Sequence, residues 1–362
     1  MTTQEIVDQR LYNQHITQSR CGSVAEVVAA LGAMQAQDYP GALWSIGLRL
    51  PGSTKSDVEQ AIARREIVRT WPMRGTLHFV PASDTRWMLE LMTPRIIRGT
   101  AARVRNLELD DEIFARSERL IVKALEGDKQ LTRSALCQLL DDNGVATQGQ
   151  RGIHILSRLS QQGILCFAAH EGKQPTFALL HEWVPTAKSL PKDESLAILT
   201  ERYFTSHGPA TMQDFRWWSG LLAKDAITGL ESVKHKFISE TVNGKQYYMR
   251  PSTAANSSKI ELHLLPGFDE YILGYTDRSA ALPSLHSNKI VPGNNGMFIS
   301  TIVLNGHIAG LWRKKVGTKT ITIAAEPFEK LTTSELRLFE KAAQQYGTYT
   351  GQRIHVKDVN PS

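Results

Sequence analysis

One local order recurs three times along this chain and restricts its possible folds more than any other feature: short helical stretches, then an extended run that turns back on itself. In the first occurrence Ser23 opens SVAEVVAALGAM in the N-cap position with Glu26 three residues on, a capping-box signature. STKSDVEQAIARREI then reads as a second helix and IVRTWPMRGTLHFVP as strand. In the second, Asp110 to Leu125 is helical, and Leu131-Thr132-Arg133-Ser134 caps a helix ending near Asn143-Gly144. Gly149 to Gln162 forms another helix, before the hairpin ILCFAAHEGKQPTFALL turning at Glu171-Gly172. The third begins at Glu194 with SLAILTERYFTSHG, opens a capped helix at Thr211-Met212-Gln213-Asp214, continues through LAKDAITGLESVKHKF and ends in FISETVNGKQYYM with an Asn-Gly turn. Helices followed by a hairpin are the winged-helix order.

Beyond about Ser252 the texture changes to strands and turns. IELHLLPGFDEYILGY reads as strand, and β-branched residues alternate around an Asn-Gly in PGNNGM and around Asn305-Gly306. A last helix, TTSELRLFEKAAQQYGTYTG, closes the pattern. The expected fold is α+β, with three tandem winged-helix (helix-turn-helix) domains at 1–109, 110–190 and 191–251 and a C-terminal antiparallel β-barrel-like domain at 252–362.

At 362 residues and 41% hydrophobic content the chain suits several cores rather than one. No apolar run approaches the roughly 18 residues of a membrane span, and MTTQEIVDQR carries acids where a signal peptide is basic and then apolar, so a cytoplasmic protein with no membrane partner is expected. Cys21, Cys137 and Cys166 are scattered without a CxxC pair and read as buried free thiols. HExxH, GxxxxGKS, GxGxxG and GxSxG are all missing, and His15, His78, His154, His170, His181 and His207 are dispersed. No metal and no cofactor are expected.

Charge is concentrated. Nine arginines and no lysine lie between Ala61 and Arg105, against Glu66, Asp84 and Glu90, and this excess of six equals the net charge of the whole chain. The guanidinium fork suits phosphate oxygens, so a localised arginine surface is the footprint of a nucleic-acid binder, with a solvated helix face as the alternative. Candidate DNA contacts are Arg64, Arg65, Arg69, Arg74, Arg95 and Arg98, joined by Arg313 and Lys314 of a later basic hairpin. Along TWPMRGTLHF, Met73, Gly75, Leu77 and Phe79 alternate with Arg74, Thr76 and His78. That pattern describes a half-buried strand with a solvated polar face, or one that presents Arg74 and His78 to a phosphate or sugar; spacing does not choose. Phe215, Trp218 and Leu222 around WWSG read as a core stripe rather than a stacking platform. Asp269, Glu270 and Asp277 read as turn or salt-bridge groups before general acid-base candidates.

MQAQDYP places Gln35 and Gln37 one residue apart. On a helix they would be unrelated, whereas in an extended segment side chains alternate, so the two amides project together with Ala36 opposite. Pro40 favours that by biasing Tyr39 towards extended backbone.

QAQDYPGALWSIGLR, IVRTWPMRGTLHFV, TSHGPATMQDFRWWSGL and LPGFDEYILGYTDR together resemble the AlkZ-like DNA glycosylases, the winged-helix family that includes the azinomycin-resistance enzyme and the YcaQ relatives. The resemblance runs over essentially the full chain. It implies removal of bulky N7-alkylpurines, unhooking of some interstrand crosslinks, and double-stranded DNA carrying such lesions as partner of a monomeric enzyme. It also implies that Gln35 and Gln37 are catalytic, on the motif of Gln, an apolar residue, then Gln or Asp. Gln37 places the chain in the Gln-x-Gln branch; Asp38, pointing away in an extended segment, is a poor substitute for the carboxylate of the other branch. In that reading Gln37 orients the attacking water and Gln35 holds Gln37 or contacts the deoxyribose. The competing readings are a winged-helix DNA-binding regulator without catalysis and a protein-interaction scaffold, which the arginine cluster disfavours.

Overall fold

Three threonines show how local chemistry sets the element boundaries. Thr132, Thr211 and Thr332 each sit in extended backbone and accept the N–H three residues on, at 3.2, 3.1 and 3.3 Å, which starts the helices Arg133–Asp142, Met212–Ser219 and Thr333–Thr350. The last two complete a capping box through Asp214 and Glu335. Ser23 caps Val24–Leu31 in the same way, but Glu26 reaches back to the Gly22 N–H instead of Ser23. At Asn243-Gly244 and Asn305-Gly306 both residues have positive φ, as the two-residue hairpin turn demands.

This computed structural model describes residues 1–251, 260–294 and 296–357. The expected boundary at Ser252 and the first Asn-Gly turn of the C-terminal region, at Asn295, lie outside the described residues. The fold is α+β. The chain divides into two compact units, Glu59–Leu196 and Met1–Val58 with Ala197–Ser362. This division is coarser than the four expected domains, and one boundary falls inside the first of them.

In the unit Glu59–Leu196 the strands run in the order Thr76–Pro81, Ile67–Met73, Leu165–Glu171, Gln174–Leu179, Leu131–Thr132, each pair antiparallel. Two hairpins expected in separate domains thus share one sheet through the pairing of Arg69 with Phe167. The helices Asp111–Leu125, Arg133–Asp142 and Arg151–Gln161 bury Phe114, Ile121, Leu125, Leu136, Leu140, Ile155, Leu156 and Leu159 in a core with Phe167 and Phe177. The helical spacing of these residues follows from the period of 3.6.

TWPMRGTLHF is not one strand. Arg74 and Gly75, at φ 55° and 71°, are the turn between Ile67–Met73 and Thr76–Pro81, so the face assignment made across them does not hold. Every residue of Ile67–Met73 is buried, because this strand lies between two others and the helices Thr85–Gly99 and Arg151–Gln161 pack on it. The next hairpin turns at Gly172-Lys173, one residue later than Glu171-Gly172.

In the other unit the strands Leu262–Leu265, Thr301–Leu304, His307–Val316, Thr320–Pro327 and Arg353–Val356 form a sheet in that order. Its last pair is parallel, Ile321 opposite Ile354, so the expected wholly antiparallel arrangement is corrected. A parallel return needs a crossover, and the helix Thr333–Thr350 supplies it, packing on Leu262–Leu265 and Arg353–Val356. The stretch after Leu265 is no strand: Asp269 caps a short helix, Glu270–Leu273. Among the described residues no helix is long and apolar enough to cross a membrane.

Candidate active site

The helix Val24–Leu31 stops at Gly32, whose φ of 78° suits a residue without a side chain. Met34–Gln35 is extended, Ala36 is fully buried, and the chain bends at Gln37 and Asp38 into the helix Tyr39–Leu48. Pro40 therefore does not prolong the extended segment. It stands in the first turn of a helix, where its missing N–H costs nothing, and Asp38 holds the N-cap position. A Cβ on Gly41 would fall 2.4 Å from Asp38 Oδ2, so that glycine makes room for the carboxylate beside the helix start. The Asp38 side chain is exposed and makes no cap hydrogen bond to the helix.

Gln35 is 8% exposed and Gln37 is exposed. The Gln35 backbone N–H donates to Glu270 Oε1 at 2.9 Å, while its side-chain Oε1 is buried with no hydrogen-bond partner among the described residues. Leaving such an acceptor without a partner costs about 1–3 kcal/mol.

Sequence reasoning set aside the two adjacent acids that hold this segment. Glu270 is 1% exposed and accepts at Oε2 from Trp218 Nε1 at 2.9 Å, with His207 Nε2 3.5 Å away. Burial lowers the His207 pKa, against the pull of Glu270. Asp269 binds the other flank. It takes two hydrogen bonds of 2.8 Å from Arg49 and one of 2.6 Å from Ser45 Oγ, and these donors stand towards the C-terminal end of the helix Tyr39–Leu48, Arg49 as its C-cap. Arg49 also donates to the Gln14 and Ser45 carbonyls. The signal was two acids embedded between LPGF and YILGY: carboxylates within an apolar run must be buried, and buried carboxylates need donors. Asp277 is the turn group it was expected to be, held by Lys245 and Ser279; against the effect of burial these bonds bring its pKa down to about 2. Phe215 and Trp218 are core, as the stripe implies, but Leu222 is 53% exposed.

The candidate DNA contacts divide by environment. Arg69 is buried, its guanidinium 4.9 Å from the centre of the Phe167 ring. Arg65 lies over Trp183, pairs with Asp128 and donates to the Glu182 carbonyl. Both hold the fold together in these positions. Arg64 is exposed and bonded to Glu66 at 2.8 Å. In the half-buried turn Arg74 Nη2 lies 3.1 Å from His78 Nε2, and His78 Nδ1 lies 2.9 Å from the Thr76 carbonyl. The carbonyl only accepts, so Nδ1 donates to it and Nε2 accepts from the guanidinium. His78 is fully buried. Arg95 and Arg98 are exposed on the helix Thr85–Gly99, one turn apart, and Arg98 borders a groove of about 490 Å³ with Arg86, Gln161 and Gln162. In the basic hairpin Arg313 is bonded to Glu326 at 2.6 Å and Lys314 to the Tyr346 hydroxyl at 2.8 Å; both side chains are exposed. Among the described residues no group of three or more His, Cys, Asp or Glu side chains could hold a metal ion.

Comparison with known proteins identifies the family and the fold. The chain is 24% identical over 379 residues to the interstrand DNA cross-link repair glycosylase of Streptomyces sahachiroi, covering 97% of both proteins. Its fold is that of the solved Streptomyces sahachiroi DNA glycosylase AlkZ, with a TM-score of 0.82 and 22% identity over 99% of this chain and 100% of that one. The model of the family "DNA glycosylase AlkZ-like" matches residues 28–349, which include Gln35, Gln37 and Glu270, and the chain belongs to that family.

Proposed function

We propose that this protein hydrolyses the N-glycosidic bond of cationic N7-alkylated purines in double-stranded DNA, 7-alkylguanine above all, and that interstrand crosslinks through such positions are among its substrates. The relative named for crosslink repair supports the second part. The observation that carries the first is the pair of carboxamides, one fixed with an unpartnered buried oxygen at Gln35 and one exposed at Gln37.

A carboxamide is no general base at neutral pH, but it accepts a hydrogen bond from water and donates one to a sugar or base. An N7-alkylated purine already carries positive charge. When C1′–N9 breaks, the bonding electrons neutralise the purine and leave an oxocarbenium-like sugar, so the base needs no protonation. Water adds at C1′ and loses its proton to solvent. Gln37 orients that water, and the Gln35 carbonyl dipole stabilises the developing sugar cation, the positioning and electrostatic terms that dominate such catalysis. Unmodified purines, lacking the charge, are spared. Exposed Arg95 and Arg98, with Arg313 and Lys314, supply phosphate contacts.

The test is base release from 7-methylguanine DNA, read as strand scission at the abasic site. Wild-type protein releases the base, Gln37→Ala loses that activity, and DNA affinity stays nearly unchanged. A Gln37→Ala variant cutting at the wild-type rate would remove the site assignment; wild-type binding without base release would make the protein a DNA-binding regulator.

A further inference from the structure

We infer that Glu270 is the positioning residue of this active site, acting on Gln35 through its backbone and never touching the substrate. This rests on the glycosylase reading above.

Glu270 lies 235 residues from Gln35 in the chain, yet its Oε1 accepts the Gln35 N–H at 2.9 Å. Its other oxygen faces the Trp218 indole N–H at 2.9 Å and His207 Nε2 at 3.5 Å. The Gln35 and Trp218 N–H groups thus donate one to each oxygen, and only an ionised carboxylate accepts fully at both. The Ser206 hydroxyl donates to the Arg202 carbonyl at 2.8 Å and so accepts from His207 Nδ1, which lies 2.8 Å away. His207 itself is fully buried and stacked on Tyr203. The carboxylate is thus locked on one side by rigid aromatic groups and on the other grips the backbone of a catalytic glutamine.

This bond fixes the backbone of Gln35 at the end of the two-residue strand Met34–Gln35. A shift of about 1 Å in a positioned group can cost about 100-fold in rate. E270Q keeps the shape of the side chain but turns an NH2 towards either the Gln35 N–H or the Trp218 N–H, donor against donor. Removing the indole donor with W218F resolves the conflict: the amide oxygen then accepts from Gln35, and the NH2 faces His207, whose neutral ring can accept at Nε2 while Nδ1 donates to Ser206.

The experiment measures single-turnover base release from 7-methylguanine DNA, together with DNA dissociation constants, for wild type, E270Q, W218F and W218F/E270Q. E270Q loses about 100-fold in rate with affinity nearly unchanged, and the double variant recovers most of that loss. Equal rates for E270Q and wild type overturn the inference, as does a double variant no faster than E270Q, or a parallel fall in rate and affinity. If E270Q fails to fold, the double variant decides: folded and active upholds the inference, while folded and inactive, or unfolded, overturns it. Failure of the glycosylase reading is distinct, because the wild type itself then releases no base.

Discussion

Asp269→Ala is the perturbation whose cost can be worked most directly from the structure. The Arg49 side chain is 0% exposed and that of Asp269 1%, with two hydrogen bonds of 2.8 Å between them. Deleting the carboxylate leaves a buried guanidinium whose remaining acceptors, the Gln14 and Ser45 oxygens, carry no net charge. Breaking a buried pair from one side costs about 3–5 kcal/mol. The same carboxylate accepts the Tyr271 N–H at 3.0 Å as the cap of Glu270–Leu273. Losing such a cap adds about 0.5–2 kcal/mol, so the total is about 3.5–7 kcal/mol. That rivals the whole stability of a typical domain, about 5–15 kcal/mol. Urea titration followed by tryptophan fluorescence and circular dichroism measures it. Arg49→Met combined with Asp269→Leu should recover at least half the loss, because the cost lies in the stranded charge rather than in the absence of an ion pair. If Asp269→Ala unfolds within about 1 kcal/mol of wild type, the carboxylate is not compensating a buried cation and the argument fails.

Three further outcomes follow from the same geometry. Gly47→Ala would set a Cβ 2.2 Å from Tyr349 Cε2, and that ring is pinned by its hydroxyl on the Leu43 carbonyl at 2.7 Å, so calorimetry should show a loss of about 1–3 kcal/mol. Burial, with Arg20 and Arg49 nearby, lowers the His15 pKa to about 4. The unfolded chain then takes up its proton first: stability is full above about pH 6.5 and declines as pH falls towards 4, by at most about 3 kcal/mol. His15→Asn keeps an acceptor for the Arg20 N–H and suits the φ of 60°, so it should flatten that slope in denaturation curves taken across the window. Arg95→Ala with Arg98→Ala should reduce the slope of log binding constant against log salt by about 2, whereas buried Arg69→Ala should lower stability and leave that slope alone.

What was legible in the sequence differs from element to element for physical reasons. Thr132, Thr211 and Thr332 announced their helices because a cap is decided within four residues, and Asn243-Gly244 and Asn305-Gly306 announced their turns because positive φ is a local demand. Pro40 was misleading: the same fixed φ that ends one helix starts the next, and Asp38 in the N-cap position was the clue that it starts one. Arg74-Gly75 hid inside an alternating run, since alternation continues in name across a turn while the faces are exchanged. Counting arginines located a basic segment but not its surface. Arg69 stands in a strand covered on both sides and Arg65 lies over Trp183, so burial, which composition does not carry, separates them from Arg95 and Arg98.

By itself the sequence determined the capped helix starts and the Asn-Gly turns, the concentration of positive charge, and the motif Gln35-Ala36-Gln37 with the family resemblance that gives it meaning. These depend on neighbours in the chain or on residue identity alone. The tertiary structure decided that Gln35 is held by Glu270, 235 residues away, and that Asp269 fastens the following helix through Arg49, 220 residues away. A carboxylate's role follows from its desolvation and from the donors that surround it. Both come into being only when distant segments pack together, which is why two acids that read as turn or salt-bridge groups came to frame the candidate site.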